Sequence, residues 1–174
     1  MKVLVIVDMQ NDFINGSLAN PAAAAIVNKV ADYAKSFDGP IILTRDTHPE
    51  NYLETYEGKH LPITHCVHGT DGWEVAPEIM DAIKGKFYCF IDKPTFGYAQ
   101  KIADIMGSMG YVTEIEVVGT VTEICVISNV LGLKPLYPDA DFVVHADMCA
   151  GLSDEGHKAA LTVMKSCQVQ VVGE

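Results

Sequence analysis

The sequence predicts an α/β fold, a three-layer αβα sandwich built on a mostly parallel sheet of about six strands. Three observations carry that expectation. Short runs are apolar on both faces, as strands covered from two sides must be; segments with helical spacing separate them; and the two kinds alternate along 174 residues. A chain of this length suits one sizeable core, so residues 1–174 are expected to form a single domain.

Taken in order, KVLVIV (2–7) is an uninterrupted apolar run that stops at Asp8 and reads as the first strand. Asn20 followed by Pro21 is a helix-start signal, and 22–37 keeps helical spacing beyond it. PIILT (40–44) is the second strand, whereas 46–73 has neither period and is read as an ordered loop. Helical spacing over 74–84 leads into a third strand, KFYCFI (86–91), and returns over 97–108 before EIEVVG (114–119). A further helix is expected over 122–133, a strand at ADFVVHA (140–146), a helix over 154–166 announced by Ser153, and a last strand at VQVVG (169–173). The sequence leaves the strand order open.

Composition narrows the function classes. With 23 acidic against 12 basic residues the formal charge is −11, which repels phosphate backbones and argues against a nucleic-acid partner. No apolar run is long enough to span a bilayer. The opening MKVLVIVDMQNDF is too short in its apolar part for a secretory signal, so the expected location is the cytoplasm. Five irregularly spaced cysteines without a CxxC pair fit reduced thiols better than a disulfide framework.

In open parallel sheets, ligands bind beyond the carboxyl ends of the strands. Asp8 follows the first strand, Asp46 and His48 the second, Lys93 the third, and the turn leading to Cys125 the fourth. Each has a bland reading alone: Asp8 as a turn cap, Lys93 as a solvated loop lysine, Cys125 as a core thiol. Together on one sheet edge they supply a base, a cation and a thiol, the parts a nucleophilic cysteine requires. Cys125 at the start of a helix would also meet a dipole that favours the thiolate. Asp46 and His48, two apart in an extended segment, with His65 arriving from the loop, are a reasonable Zn²⁺, Mn²⁺ or Fe²⁺ site; a hydrogen-bonded loop histidine is the competing reading.

The strings VIVDMQNDF, the lysine of DKPTFGY, and VVGTVTEICV resemble the three signatures of the isochorismatase-like cysteine hydrolases, in order and across the whole chain. The resemblance implies their Rossmann-like three-layer fold and an Asp–Lys–Cys triad at Asp8, Lys93 and Cys125. It implies a cis peptide between Thr120 and Val121, which would turn the backbone N–H groups of Val121 and Cys125 into an oxyanion hole. Asp-x-His followed by the His of "HC" looks like the metal site of nicotinamidases, placing a divalent metal, zinc first and manganese or iron next, on Asp46, His48 and His65. Glu57 is the nearest match to the glutamate some of these enzymes add. Phe13 resembles their ring-stacking aromatic, and is equally readable as a core phenylalanine. No organic cofactor is implied, and a homo-oligomer is.

The reaction implied is hydrolysis of a small carboxamide, nicotinamide to nicotinate and ammonia, through a thioester on Cys125. The chain departs from the nicotinamidase pattern in LPITH, where an aromatic commonly precedes the metal histidine, and in Thr47, where tryptophan is common. An N-carbamoyl amide hydrolase or another isochorismatase-like hydrolase is therefore the alternative. A catalytically retired binding module and a thiol redox protein are readings from other classes, opposed by the intact triad and by the lack of a resolving cysteine near Cys125. Cys66, Cys89, Cys149 and Cys167 are read as structural, His60 and His68 as loop residues flanking the metal site, and His145 and His157 as structural or exposed.

Overall fold

The structure, a computed structural model, describes all 174 residues. Strands β1 (Lys2–Val7), β2 (Ile41–Asp46), β3 (Tyr88–Lys93), β4 (Glu114–Thr120), β5 (Asp141–Ala150) and β6 (Gln170–Val172) form one six-stranded sheet, ordered β3-β2-β1-β4-β5-β6. Every neighbouring pair is parallel. Seven helices accompany it: α1 (Asn11–Ile14), α2 (Pro21–Ser36), α3 (Tyr56–His60), α4 (Pro77–Ala82), α5 (Ala99–Met109), α6 (Ile127–Leu133) and α7 (Asp154–Ser166).

The pleat of β1 explains the three layers. Val3, Val5 and Val7 point into one core with Ile102, Met106, Val130, Leu161 and Met164 of α5, α6 and α7. Leu4 and Ile6 point into the other, with Val27 and Val30 of α2 and Ile79 of α4. Alternate residues thus serve opposite helical layers, which is why the strand reads as continuously apolar. The helix starts are chemically specified. The Asn20 side chain accepts from Ala22 N–H at 2.9 Å, and Ser153 Oγ accepts from Gly156 N–H at 3.0 Å. Such caps each stabilise by about 1 kcal/mol.

The chain runs outward from β1 to β2 and β3, then returns to the other side of β1 with β4. The carboxyl ends of β1 and β4 therefore flank the switch point, where an open sheet leaves a crevice. Asp8 leaves β1 with φ +49°, a region Asp tolerates better than most residues, and its N–H donates to the Thr44 carbonyl. Gly119 (φ +123°) lets β4 pass close to β1: a Cβ there would stand 2.1 Å from the Val7 carbonyl oxygen.

Several boundaries differ from the sequence expectation. The third strand runs to Lys93 instead of ending at 91, so Lys93 is a buried strand terminus and not a solvated loop residue. β5 reaches Ala150, past the expected 146, because a register irregularity lets its second half rejoin β4 at Gly119 and Thr120. The expected loop 46–73 contains a 3₁₀ turn at Tyr52–Glu54 and the short helix α3, too brief to show a period. Helix α1 was likewise invisible, and 74–84 condenses to Pro77–Ala82 because Val75 pairs with Gln10.

Candidate functional site

Asp8, Lys93 and Cys125 meet at the switch point. The Lys93 ammonium lies 2.7 Å from Asp8 Oδ2 and 3.5 Å from Cys125 Sγ, and both Asp8 and Lys93 are 0% exposed. Thr44 Oγ1 donates to Asp8 Oδ1 at 2.6 Å and holds the carboxylate in place. The buried Oδ2 is in ionic contact with Lys93 but takes no aligned hydrogen bond, which leaves a lone pair for another proton. Burial penalises the Lys93 charge, yet Asp8, Cys125 and Asp46 outweigh it and hold the ammonium well above its usual range. Burial pushes Asp8 up, against the pull of Lys93.

Cys125 differs from the expectation in one respect. It sits in a π-helical turn, Thr122–Val126, one turn before α6 begins, and not in the first turn of an α-helix. Burial and the Asp8 charge raise its thiol pKa well above the ordinary range, against the pull of Lys93. Burial and the Asp8 charge thus oppose the thiolate that a helix start was expected to favour. The Thr120–Val121 peptide is cis, and both Val121 and Cys125 line the adjoining cavity.

Asp46, the last residue of β2, faces two ways. Its Oδ1 is 3.2 Å from Lys93 Nζ, while Oδ2 is 2.9 Å from His48 Nε2 and 3.4 Å from His65 Nε2. Glu57 Oε1, from α3, stands 3.7 Å from His48 Nε2. Ligand atoms of Asp46, His48, Glu57 and His65 all lie within 4.8 Å of one another. Ligands of a tetrahedral ion with bonds of 2.0–2.1 Å stand roughly 3.3 Å apart, so these spacings suit a divalent cation. The His65 tautomer suits it too. Its Nδ1–H donates to the Ile63 carbonyl at 2.8 Å, so Nε2 is the nitrogen turned toward Asp46 and the one that could ligate an ion in place of its contact with that carboxylate. Burial raises Asp46, but hydrogen bonds from His48 and His65 and the Lys93 charge bring it net below the usual carboxylate range. Burial and the Asp46 charge push Glu57 up.

A cavity of about 160 Å³ joins the two groups, touching Cys125 on one side and Asp46, Glu57 and His65 on the other. Its remaining wall is mostly apolar, from Phe13, Leu18, Leu61, Phe96, Ile124 and Leu152. That volume is below the range of drug-sized sites and fits a small ligand. Phe13 packs with Cys66 and Trp73, as a core phenylalanine would, and also lines the cavity, 5.8 Å from the His65 ring. Leu61 occupies cavity wall ahead of His65, where the sequence departs from an aromatic.

The remaining candidates lie outside this cavity. Cys66 is buried with its thiol raised by burial, and Cys149 is pushed up by burial to about 12. Cys89 is half-buried in β3, and Cys167 is exposed at the end of α7. His68 packs at a tilt against Trp73, His157 Nδ1 bonds Thr122 Oγ1 at 2.8 Å, and His145 Nε2 bonds Glu116 at 2.6 Å. His60 is exposed on α3, its ring 4.4 Å from that of Tyr56.

Sequence reasoning missed the residues that hold these groups. Gln10 is fully buried; its Nε2 donates to the Asp46 and Trp73 carbonyls, and its Oε1 accepts from Asp46 N–H at 2.7 Å. Asn129 donates to the Cys125 carbonyl at 2.8 Å and accepts from Tyr98 N–H. Tyr52 packs on the rings of both His48 and His65. The one available signal was Gln10's place two residues beyond Asp8.

The Isochorismatase domain model matches residues 2–173. The Mycobacterium tuberculosis nicotinamidase/pyrazinamidase is 30% identical over 99% of this chain and 98% of that protein. The Saccharomyces cerevisiae nicotinamidase is 32% identical over 53% of this chain, the match spanning 56% of the yeast protein. Among solved structures, pyrazinamidase of Pyrococcus horikoshii in complex with zinc is 28% identical with a TM-score of 0.79, covering 99% of each chain. The yeast nicotinamidase bound to the inhibitor nicotinaldehyde, at 22% identity and a TM-score of 0.80 over 100% of both chains, shares the fold. A match over nearly the whole length, joined to a relative aligned end to end, makes this chain a member of the isochorismatase family.

Proposed function

We propose that the chain is a cysteine-dependent hydrolase of a small carboxamide, acting as a nicotinamidase on nicotinamide or a close relative. The observation that carries this reading is the contact of Lys93 with both Asp8 and Cys125 beside a small, mostly apolar cavity whose far side holds two histidines and two carboxylates. The relatives named nicotinamidase and pyrazinamidase support it.

In this mechanism Asp8 takes the Cys125 proton as the sulfur attacks the carboxamide carbon. Because burial and the Asp8 charge disfavour a free thiolate, this mechanism has proton transfer to Asp8 accompany the attack. The oxyanion of the tetrahedral intermediate rests on the N–H groups of Val121 and Cys125; one such donor contributes roughly 3–4 kcal/mol to lowering the barrier. Protonated Asp8 then gives its proton to the departing ammonia as the C–N bond breaks, leaving a thioester. Water enters, loses a proton to Asp8, and adds to the thioester carbonyl; the sulfur leaves with that proton, and the acid is released. Lys93 stays charged throughout and offsets the charge passing between Asp8 and the sulfur.

Asp46, His48, Glu57 and His65 would hold a divalent metal, zinc first. When bound, it supplies a Lewis-acidic point beside the cavity, suited to an aromatic ring nitrogen or to water. Phe13, Leu61 and Phe96 would flank the planar ring and orient its amide toward Cys125.

The same reading takes residues 1–174 as one hydrolase domain, a homo-oligomer in the cytoplasm. No helix is long and apolar enough to cross a membrane. An ammonia-release screen over nicotinamide, pyrazinamide and carbamoylated amines, with and without chelator, tests the substrate. Turnover of the pyridine and pyrazine amides that chelation removes and Zn²⁺ or Mn²⁺ restores supports the proposal. Turnover of carbamoylated amines alone, indifferent to chelation, would transfer the chain to the N-carbamoyl alternative that Leu61 leaves open.

A further inference from the structure

A second cavity reaches two of the four candidate ligands, His48 and Glu57, from the other side. It measures about 580 Å³ and is lined by His48, Pro49, Tyr56, Glu57, His60 and Thr95, among others. It shares only Glu57 and Phe96 with the inner cavity beside Cys125. The candidate metal cluster is thus a partition. Asp46 and His65 line the inner side, His48 the outer side, and Glu57 both.

The two cavities suit different visitors. The inner one is narrow, and its mouth carries Leu152, a leucine 67% exposed. A hydrated cation passing there would shed water against apolar side chains that offer no oxygen or nitrogen in return, a costly exchange. The outer cavity is wider, and although much of its exposed surface is apolar, its walls include His48, Glu57 and His60, with His60 one helical turn from Glu57 on α3. His60 Nδ1 lies 2.8 Å from the Tyr56 carbonyl, so in the neutral ring Nδ1–H donates there and Nε2 is the nitrogen offered to a cation. An exposed imidazole and a partly exposed carboxylate on one face can exchange with a cation's water ligands stepwise before the buried residues take over.

We propose that the outer cavity is the port through which the divalent cation enters and leaves, with His60 as a transient ligand on the way, while the amide substrate uses the inner cavity. The proposal rests on the metal reading above. It gives metal exchange and substrate binding separate doors, so an occupied inner cavity does not trap the cation or bar its entry.

The test follows Zn²⁺ uptake by the full-length protein, first stripped with a chelator, as zinc transfers from a weak coloured chelator in a stopped-flow cell. His60→Ala and Thr95→Trp, one removing the transient ligand and the other narrowing the outer cavity, should slow uptake and release several-fold at unchanged stoichiometry. His60→Ala loaded with zinc should keep wild-type amide turnover. Leu152→Trp, which narrows the inner mouth, should lower turnover while leaving the uptake rate as it was. The reverse pattern, with Leu152→Trp slowing uptake and the two outer changes without effect, would overturn the proposal; so would uptake indifferent to all three. If the protein takes up no zinc, or Asp46→Asn and His48→Ala take it up as wild type does, the metal reading itself falls and the port with it.

Discussion

Asp46 Oδ1 lies 3.2 Å from Lys93 Nζ while Oδ2 of the same carboxylate faces His48 and His65. One carboxylate therefore belongs to both the candidate triad and the candidate metal cluster, and the two cannot be perturbed independently through it. Asp46→Asn is expected to weaken metal binding by more than the roughly 10–100-fold typical of losing a hydrogen bond behind a ligand. It should also lower turnover with excess metal present, because Lys93 loses a counter-charge. His48→Ala should weaken metal binding alone, with turnover largely recovered at high metal. Metal titration of both variants, paired with turnover at saturation, checks the difference.

The Asp8–Lys93 pair is wholly buried, so breaking one side strands the other. Lys93→Met should cost about 3–5 kcal/mol of stability, the usual penalty for an orphaned buried charge, and abolish measurable turnover. Adding Asp8→Asn to it should return much of that stability and none of the activity. Urea unfolding of the single and double variants measures both. A Lys93→Met protein as stable as wild type would remove the stranded-charge argument and mean that the pair adds no net stability.

Gln10 carries a separate expectation. Its three hydrogen bonds tie Asp46 to the Trp73 loop without touching the cavity. Gln10→Ala leaves buried backbone groups unpaired and should cost about 1–3 kcal/mol. It should weaken metal binding by roughly 10–100-fold through a displaced Asp46. Isothermal titration with Zn²⁺ reads the second effect. A variant that loses stability but binds zinc as before would make Gln10 a purely structural residue.

Away from the site, Glu116 gathers Tyr33 and His145 between α2 and the sheet. Burial raises its carboxyl, but hydrogen bonds from Tyr33 and His145 outweigh that and hold it below its ordinary value of 4.5. A carboxyl depressed in the folded state binds its proton more readily when unfolded. Its stabilising contribution is thus complete above pH 4.5 and fades as pH falls through the folded value. Glu116→Gln should therefore be less stable than wild type at pH 7, with the gap narrowing below pH 4.5 in thermal melts. A gap independent of pH would remove the electrostatic explanation.

How much of this was legible in the sequence depends on whether a residue's role is local. Asp8, Asp46, Lys93 and Cys125 could be placed together because each ends or follows a strand, and parallel strands deliver their carboxyl ends to one edge. Glu57 could not be placed by period, since α3 has five residues and no amphipathic stripe. Its approach to His48 is a property of how that short helix packs. Gln10 reaches Asp46 36 residues away, Asn129 reaches Tyr98 31 residues away, and Tyr52 packs on His65 from across the loop, contacts that no spacing rule encodes. The dipole argument for Cys125 rested on an α-helix start; the chain forms a π-helical turn there instead, and burial and the Asp8 charge oppose the thiolate. Lys93 reads as solvated only while its neighbours are unknown; two carboxylates around it make full burial tolerable.

The central claim is a covalent acyl-enzyme on Cys125. Acid-quenching the zinc-loaded protein within its first turnovers on nicotinamide, followed by intact-mass and peptide analysis, should find a nicotinoyl adduct on the peptide bearing Cys125. Cys125→Ala should form none and release no ammonia while melting as a folded protein. Ammonia release by Cys125→Ala at a rate near that of wild type would contradict the account outright.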